Sequence, residues 1–402
     1  MDLELKEIEK AAQRLKGTIH RTKIEKSTTF SNMAGGEVYL KFENQQKTGS
    51  FKIRGAANKI AALIERGEIK SGVASSAGNH AQGVAYASHV HGIPATIVMP
   101  KSTPIAKVAA TEGYGAKVVL HGDCYDDAYN KAVEIQETEG ATFLHPYDDL
   151  EVMAGQGTIG IEILEDLPTV DIVVVPAGGG GLLAGVASCI KHINPRVKII
   201  GVQAEGAPAI AESFRQKKHV STESVKTIAD GIAVKVPGEK TVELINKYAD
   251  DVVTVSDSEI SSAILLLLER TKQVVEPSGA TPLAAVLNGK VDVKNKKVAC
   301  VLSGGNIDVS FIQRIIDLGL ASRDRKLKFS TKLLDLPGSL EHLSHALAEA
   351  GANIIMVQYD RFSAELDPNE AIIHMACEVG GKEHGQRVVK ILEKNGYEVT
   401  RE

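Results

Sequence analysis

From about Glu37 to Gly319 the chain alternates short apolar runs with longer stretches whose apolar residues recur at helical spacing. EVYLKFEN, VASS, PATIVMP, AKVVLHG and ATFLHP come first, each but the last followed by a helical stretch. After a long helical stretch, MAGQGTIGIEILEDL, the alternation resumes with DIVVVPAGGGG, KIIGVQAEG, DDVVTVSD and KVACVLSGGN. Strands this apolar must be buried on both faces, and strands separated by helices pair in parallel. The pattern restricts the chain to the α/β class, with two clusters of strands and ligand-like loops at their carboxyl ends. Past a charged break, LGLASRDRK, the rhythm becomes strand, helix, strand, strand, helix, strand. A βαββαβ order of that size is the ferredoxin-like plan. The expected domains are 1–322, with a small lobe of about 43–150 inserted in it, and 326–402.

Composition narrows the function. With 402 residues, 43% hydrophobic and 24% charged, the chain has the make-up of an ordinary globular protein long enough for two or three domains. A net charge of −5 and the lack of a long Lys/Arg run argue against nucleic acid as a partner. The longest apolar run, Ile264 to Leu268, is too short to span a bilayer, and the amphipathic N-terminus lacks the apolar core of a signal peptide. Cys124, Cys189, Cys300 and Cys377 stand apart from one another, which suits a reducing cytosol and indicates no zinc site. A cytoplasmic enzyme is the expectation.

Four stretches carry the chemistry. KTGSFKIRGA places Lys52 where a glycine-bearing loop becomes a helix, with Ser50 as the expected N-cap. A lysine at the floor of a cleft can condense with a carbonyl cofactor; a solvated lysine at a helix start is the ordinary alternative. SSAGNH, Ser75 to His80, follows a strand and opens a helix, so its hydroxyls and helix-end amides suit an anion; an N-cap turn is the plainer alternative. AGGGGLLAG lets backbone N–H groups approach a phosphate at a positive helix end. Its Gly179-x-Gly181-x-x-Ala184 spacing, with Glu205 ending the next strand, also satisfies the dinucleotide fingerprint, so an NAD-dependent dehydrogenase is a rival on this segment. SGGN, from Ser303, closes the strand KVACVL.

Together and in this order the four stretches resemble the fold-type II pyridoxal-phosphate enzymes, and SFKIRGA is similar to the threonine/serine dehydratase branch. The resemblance implies pyridoxal 5′-phosphate held by Lys52, which also acts as the catalytic base. It implies Asn79 on the cofactor's 3′-oxygen, Gly178, Gly179, Gly180, Gly181 and Leu182 around its phosphate, and Ser303 facing its pyridine nitrogen. Ser75, Ser76, Ala77, Gly78, Asn79 and His80 are the substrate-carboxylate candidates, with His80 read as structural. EPSGA, from Glu276, lines the same cleft. The reaction implied is dehydration and deamination of L-threonine to 2-oxobutanoate and ammonia, with L-serine as a second substrate. Racemase relatives present a serine where this chain has Ala77, which cannot exchange a proton; a serine racemase or a catabolic dehydratase is the nearer alternative. Some relatives bind a cation at the position of Glu205 with an acid two residues after the position of Ala209; Ala211 stands there, and no metal is expected. His342 and His345 read as a solvated helix face.

In the C-terminal unit, Asp335-Leu336-Pro337-Gly338-Ser339-Leu340 resembles the DxPGxL signature of ACT domains, which bind small molecules, usually amino acids, at paired copies. That resemblance makes Pro337, Gly338, Ser339 and Leu340 the effector candidates, isoleucine or valine the expected effectors, and a homodimer or homotetramer the expected assembly. Feedback on the first step of isoleucine biosynthesis is the role implied. A domain that only builds the oligomer is the alternative.

Overall fold

A computed structural model describes residues 1–362 and 366–402, without the side chain of Ser310. The chain divides into two compact units, Met1–Asp308 and Val309–Glu402. The charged break in the sequence suggests a boundary at 322–326. The division falls earlier because the helix Val309–Ser322 packs on the strand Lys326–Leu334.

The first unit holds two sheets. The larger runs in the order Ile24–Lys26, Glu37–Lys41, Lys297–Val301, Ile172–Pro176, Lys198–Ala204, Asp251–Val255. All pairings are parallel except that of Ile24–Lys26 with Glu37–Lys41. The strand Ile172–Pro176 is buried at every residue, as its unbroken apolar run requires. The smaller sheet, Lys117–Leu120, Ala95–Met99, Gly72–Ser75, Thr142–Phe143, is parallel throughout and has a core of its own. The run ATFLHP therefore contributes only two strand residues, and His145 to Asp148 turn away to serve the site.

The helix Lys52–Arg66 packs against both Asn79–Val90 and Leu150–Asp166. Its contact with the latter is backbone to backbone. A Cβ on Gly155 would stand 2.7 Å from the Gly55 Cα, and one on Gly55 would stand 2.8 Å from the Val152 carbonyl oxygen. Glycine on both faces is what lets the two helices approach this closely.

At that seam lies a buried ionic network. Arg54 is fully buried and donates two bonds to Glu43, at 2.8 and 2.7 Å, and two to Glu162, at 2.7 and 3.0 Å. A fifth bond, 3.1 Å, goes to the Thr158 hydroxyl. Lys41, also fully buried, donates to Glu162 and to the Thr22 carbonyl. Two cations thus face two carboxylates with no net charge. Burial alone pushes the Glu43 carboxyl up, but Arg54 outweighs it and holds the group below the usual carboxylate range.

The second unit is a four-stranded antiparallel sheet in the order Asn353–Asp360, Glu370–Glu378, Lys326–Leu334, Thr400–Arg401. Helices Ser339–Glu349 and Lys382–Lys394 complete the βαββαβ plan, with a core that includes Phe329, Leu343, Leu347, Ile373, Val388 and Leu392. Alternating burial along Lys326–Leu334 shows that one face of the sheet is covered and the other is not.

Removing one member of the buried network strands its partners. Arg54→Met is expected to cost about 3–5 kcal/mol, measured by urea unfolding. Because the Glu43 pKa is depressed, its contribution is present at neutral pH and is lost as pH falls through the folded value; the variant should lack that acid-dependent component. A loss below about 1 kcal/mol, the range of an exposed ion pair, would refute the clamp role.

Candidate active site

Lys52 is the first residue of its helix. The residue before that helix is Phe51 and no side chain caps it, so Ser50 is not the expected N-cap. Ser50 instead pairs through its backbone with Gly304 as an isolated antiparallel bridge. The Phe51 N–H donates to the Ser303 carbonyl at 3.0 Å, and the Gly305 N–H donates to the Gly49 carbonyl at 2.8 Å. Two of the four stretches are thus held together by main-chain bonds alone. Ser303 is itself buried just past the end of the strand Lys297–Val301.

Lys52 is partly buried, and its amine donates to the Pro146 carbonyl at 2.8 Å. Burial pushes its pKa down to about 8, a fall that the nearby Glu276 partly opposes. Part of the population is therefore a neutral amine near physiological pH, the form in which it can act as a nucleophile or base.

Ser75 ends the strand Gly72–Ser75, and the helix Asn79–Val90 begins with Asn79. Gly78 precedes that helix and no side chain caps it, so the plain N-cap turn is not what forms here. The Ser76 hydroxyl accepts from the Gly78 N–H at 3.2 Å, and Ala77 packs against the core of the small sheet. The Asn79 amide nitrogen donates to both oxygens of Glu276, each at 2.9 Å. His80 is buried, and its Nε2 donates to the Leu144 carbonyl at 2.7 Å. Burial pushes its pKa down to about 3, so it is neutral and structural.

The glycine run joins the buried strand Ile172–Pro176 to the helix Gly181–Ile193, whose second residue is the buried Leu182. Gly178 and Gly179 lead to Gly180, which has φ 97°, a conformation that a side chain would strain. A Cβ on Gly179 would stand 2.5 Å from the Tyr147 ring. The Gly179 carbonyl is tied back by the Thr241 hydroxyl at 2.7 Å and the Gly238 N–H at 3.2 Å.

The segment His145–Asp148 connects these parts and was not singled out by motif. Pro146 holds the Lys52 amine, Tyr147 covers Gly179, and the Tyr147 hydroxyl donates to the Val236 carbonyl at 3.1 Å. His145 Nδ1 accepts from the N–H groups of Tyr147 and Asp148, which fixes the turn. A histidine, proline and tyrosine directly after a strand was the available signal. The effector candidates Pro337 to Leu340 belong to the second unit.

Among the described residues, Ser50 Oγ, Ser75 Oγ, Asn79 Oδ1 and Ser278 Oγ are buried without a partner. Each such group costs about 1–3 kcal/mol unless something supplies its bond. Ser50 lies two residues before Lys52, and Asn79 adjoins Glu276, whose charge acts on Lys52; open hydrogen-bonding groups there fit a polar cofactor with a carbonyl.

The family described as "Pyridoxal-phosphate dependent enzyme" matches residues 15–304. The chain belongs to that family. Pyridoxal phosphate is its cofactor, and the dinucleotide reading of the glycine run is set aside. The chain is 51% identical over 397 residues to the L-threonine ammonia-lyase of Thermotoga maritima, covering 99% of both. It is 48% identical to the catabolic L-threonine dehydratase of Escherichia coli K12, over 78% of this chain and 96% of that one. The structure of maize serine racemase is similar at TM-score 0.75 and 35% identity, covering 80% of this chain and 99% of that one. No helix among the described residues is long and apolar enough to cross a membrane.

In cofactor-free protein the Lys52 amine should react with formaldehyde and cyanoborohydride in proportion to its neutral fraction. Peptide mass spectrometry across pH is expected to show labelling that rises with an inflection at about 8. A rise continuing to the ordinary lysine range of about 10.4 would show that burial does not tune this group.

Proposed function

We propose that this pyridoxal-phosphate enzyme is an L-threonine ammonia-lyase, yielding 2-oxobutanoate and ammonia, and that it also converts L-serine to pyruvate. The observation that carries the reading is the Lys52 amine, held on the Pro146 carbonyl and poised to lose its proton with a pKa pushed down to about 8. The full-length likeness to an L-threonine ammonia-lyase supports the choice of substrate.

When bound, the cofactor supplies an electron-withdrawing ring conjugated to the substrate nitrogen, which acidifies the α-hydrogen. Lys52 would hold it, the amides of Gly178 to Gly181 and Leu182 would bind its phosphate at the helix end, and Asn79 would meet its 3′-oxygen. Ser303 would face the pyridine nitrogen. A hydroxyl there does not keep that nitrogen charged as a carboxylate would, which favours elimination over prolonged carbanion chemistry. The turn from Ser75 to His80 offers helix-end amides and hydroxyls to the substrate carboxylate, with His80 holding the turn in place. Freed Lys52 takes the α-proton; the β C–O bond breaks and the hydroxyl leaves as water once protonated. The enamine released takes up a proton at carbon and is hydrolysed, giving the keto acid and ammonia. Ala77 has no proton to give to the opposite face, so D-amino acid is not expected despite the likeness to serine racemase.

The second unit is read as an ACT-type module that senses a branched-chain amino acid, which places the enzyme at the head of isoleucine synthesis in the cytoplasm, as a homodimer or homotetramer. Support comes from the βαββαβ order and from the loop before the helix Ser339–Glu349. There Pro337 stiffens the turn, and Gly338, at φ 92°, leads into Ser339, whose N–H donates to the Leu336 carbonyl at 3.2 Å, and Leu340, so that a helix N-terminus suited to a carboxylate follows the turn. The catabolic relative, matched over 96% of its length, leaves over a fifth of this chain unmatched. Effector control requires isoleucine or valine to favour one subunit arrangement over the other.

Borohydride reduction and peptide mapping should place the pyridoxyl group on Lys52, and Lys52→Ala should abolish keto-acid formation from L-threonine. A pyridoxyl group on another lysine, or D-serine accumulating faster than keto acid, would overturn the assignment. Titrating the full chain with isoleucine and valine should lower the threonine rate, and Gly338→Val should weaken the response. No response to either amino acid would leave the second unit as an oligomer-building element.

A further inference from the structure

Glu276 stands just before the helix Pro277–Leu287 and is fully buried. Its carboxylate faces groups from several elements: the Asn79 amide, the Asn306 backbone N–H, Asp230, Lys107 and Lys52. Burial pushes its pKa up to about 7, while the bonds from Asn79 and Asn306 act the other way.

The Asn79 nitrogen lies 2.9 Å from each Glu276 oxygen, equidistant from the two. In its ionised form, which the bonds from Asn79 and Asn306 favour, the carboxylate only accepts, so it selects the NH2 end of the amide and excludes the carbonyl end. Equal distances suit one N–H shared between the two oxygens. The second N–H then diverges from Glu276, and the carbonyl oxygen, buried and without a partner among the described residues, is turned away as well.

We propose that Glu276 is a positioning residue: by holding one Asn79 N–H it fixes the amide so that the other N–H meets the 3′-oxygen of the cofactor. This rests on the pyridoxal-phosphate reading of the site and adds a residue that acts through Asn79. With the N–H in place, the 3′-oxygen is favoured as an ionised acceptor; with the amide reversed, it is favoured with its proton on. Those two forms absorb in different bands, the ionised one at longer wavelength.

Glu276→Gln reports on this directly. The glutamine carbonyl can keep the bond from the Asn306 N–H, which directs its own NH2 at Asn79 and reverses the Asn79 amide. The expected result in the holoenzyme is a higher ratio of near-ultraviolet to visible absorbance. Cofactor release into apo-acceptor should quicken by about tenfold, the size of one lost charge-assisted hydrogen bond. Glu276→Asp, which keeps the charge but withdraws it by one methylene, should move both readouts the same way and serves if the glutamine variant does not fold. On an Asn79→Ala background the Glu276 substitution should change neither readout further. Unchanged bands and release rate with Asn79 intact would overturn the proposal, as would a full effect in the Asn79→Ala background. Absence of any cofactor band in the unsubstituted protein would instead overturn the cofactor reading beneath it.

Discussion

The arrangement depends on a place where four ionic side chains have been taken out of water together. Withdrawing each from solvent costs several kcal/mol, so Arg54, Lys41, Glu43 and Glu162 are tolerable only in one another's company. That requirement fixes geometry: Lys41 and Glu43 bracket the end of the second strand, Glu162 lies on the helix Leu150–Asp166, and Arg54 lies on the helix that Lys52 begins. Lys52 is two residues from Arg54, so whatever immobilises the guanidinium immobilises the start of that helix. A salt network with no chemistry of its own thereby aims the amine that has it.

On the other side of that helix start the accounting reverses. The ionic quartet is fully paired, whereas the cleft leaves Ser50, Ser75, Asn79 and Ser278 with unfilled bonds and holds Glu276 and Lys52 where their charged forms are disfavoured. A fold that satisfied these groups internally would be more stable and would have less to offer a ligand. The satisfied and unsatisfied regions lie within a few residues of each other. Backbone pairing between Gly49–Phe51 and Ser303–Gly305 joins the lysine loop to the serine loop.

Much of this was legible in the sequence because it is local. The run IVVVP announces a strand buried on both faces, and four glycines after it announce a close approach. Lys52, Asn79, the glycine run and Ser303 were named from short stretches, and contacts through Pro146, Tyr147, Glu276 and the Ser50–Gly304 bridge link those stretches in the first unit. What escaped was non-local or structural in origin. Nothing near Arg54 says that its partner Glu162 lies 108 residues away, and nothing near Gly179 says that Tyr147 will cover it. Ser50 has the chemistry of an N-cap, but a backbone bridge to Gly304 claims its place and moves the helix start to Lys52. Propensity at that position was overruled by pairing with a loop from the far end of the unit.

The sheet order has a consequence for how the protein is made. The strand Glu37–Lys41 finds its parallel partner, Lys297–Val301, only after roughly 250 further residues have been synthesised. At 5–20 residues per second, translation leaves that edge unpaired on the ribosome for on the order of ten to fifty seconds. The small sheet, built entirely from residues 72–143, can close long before then. The lysine loop waits with the early strand, because Ser303 and Gly305 emerge later still. A nascent chain released or stalled before that point would carry a finished small lobe, an unpaired apolar edge and a lysine loop without its partner loop, a species exposed to aggregation.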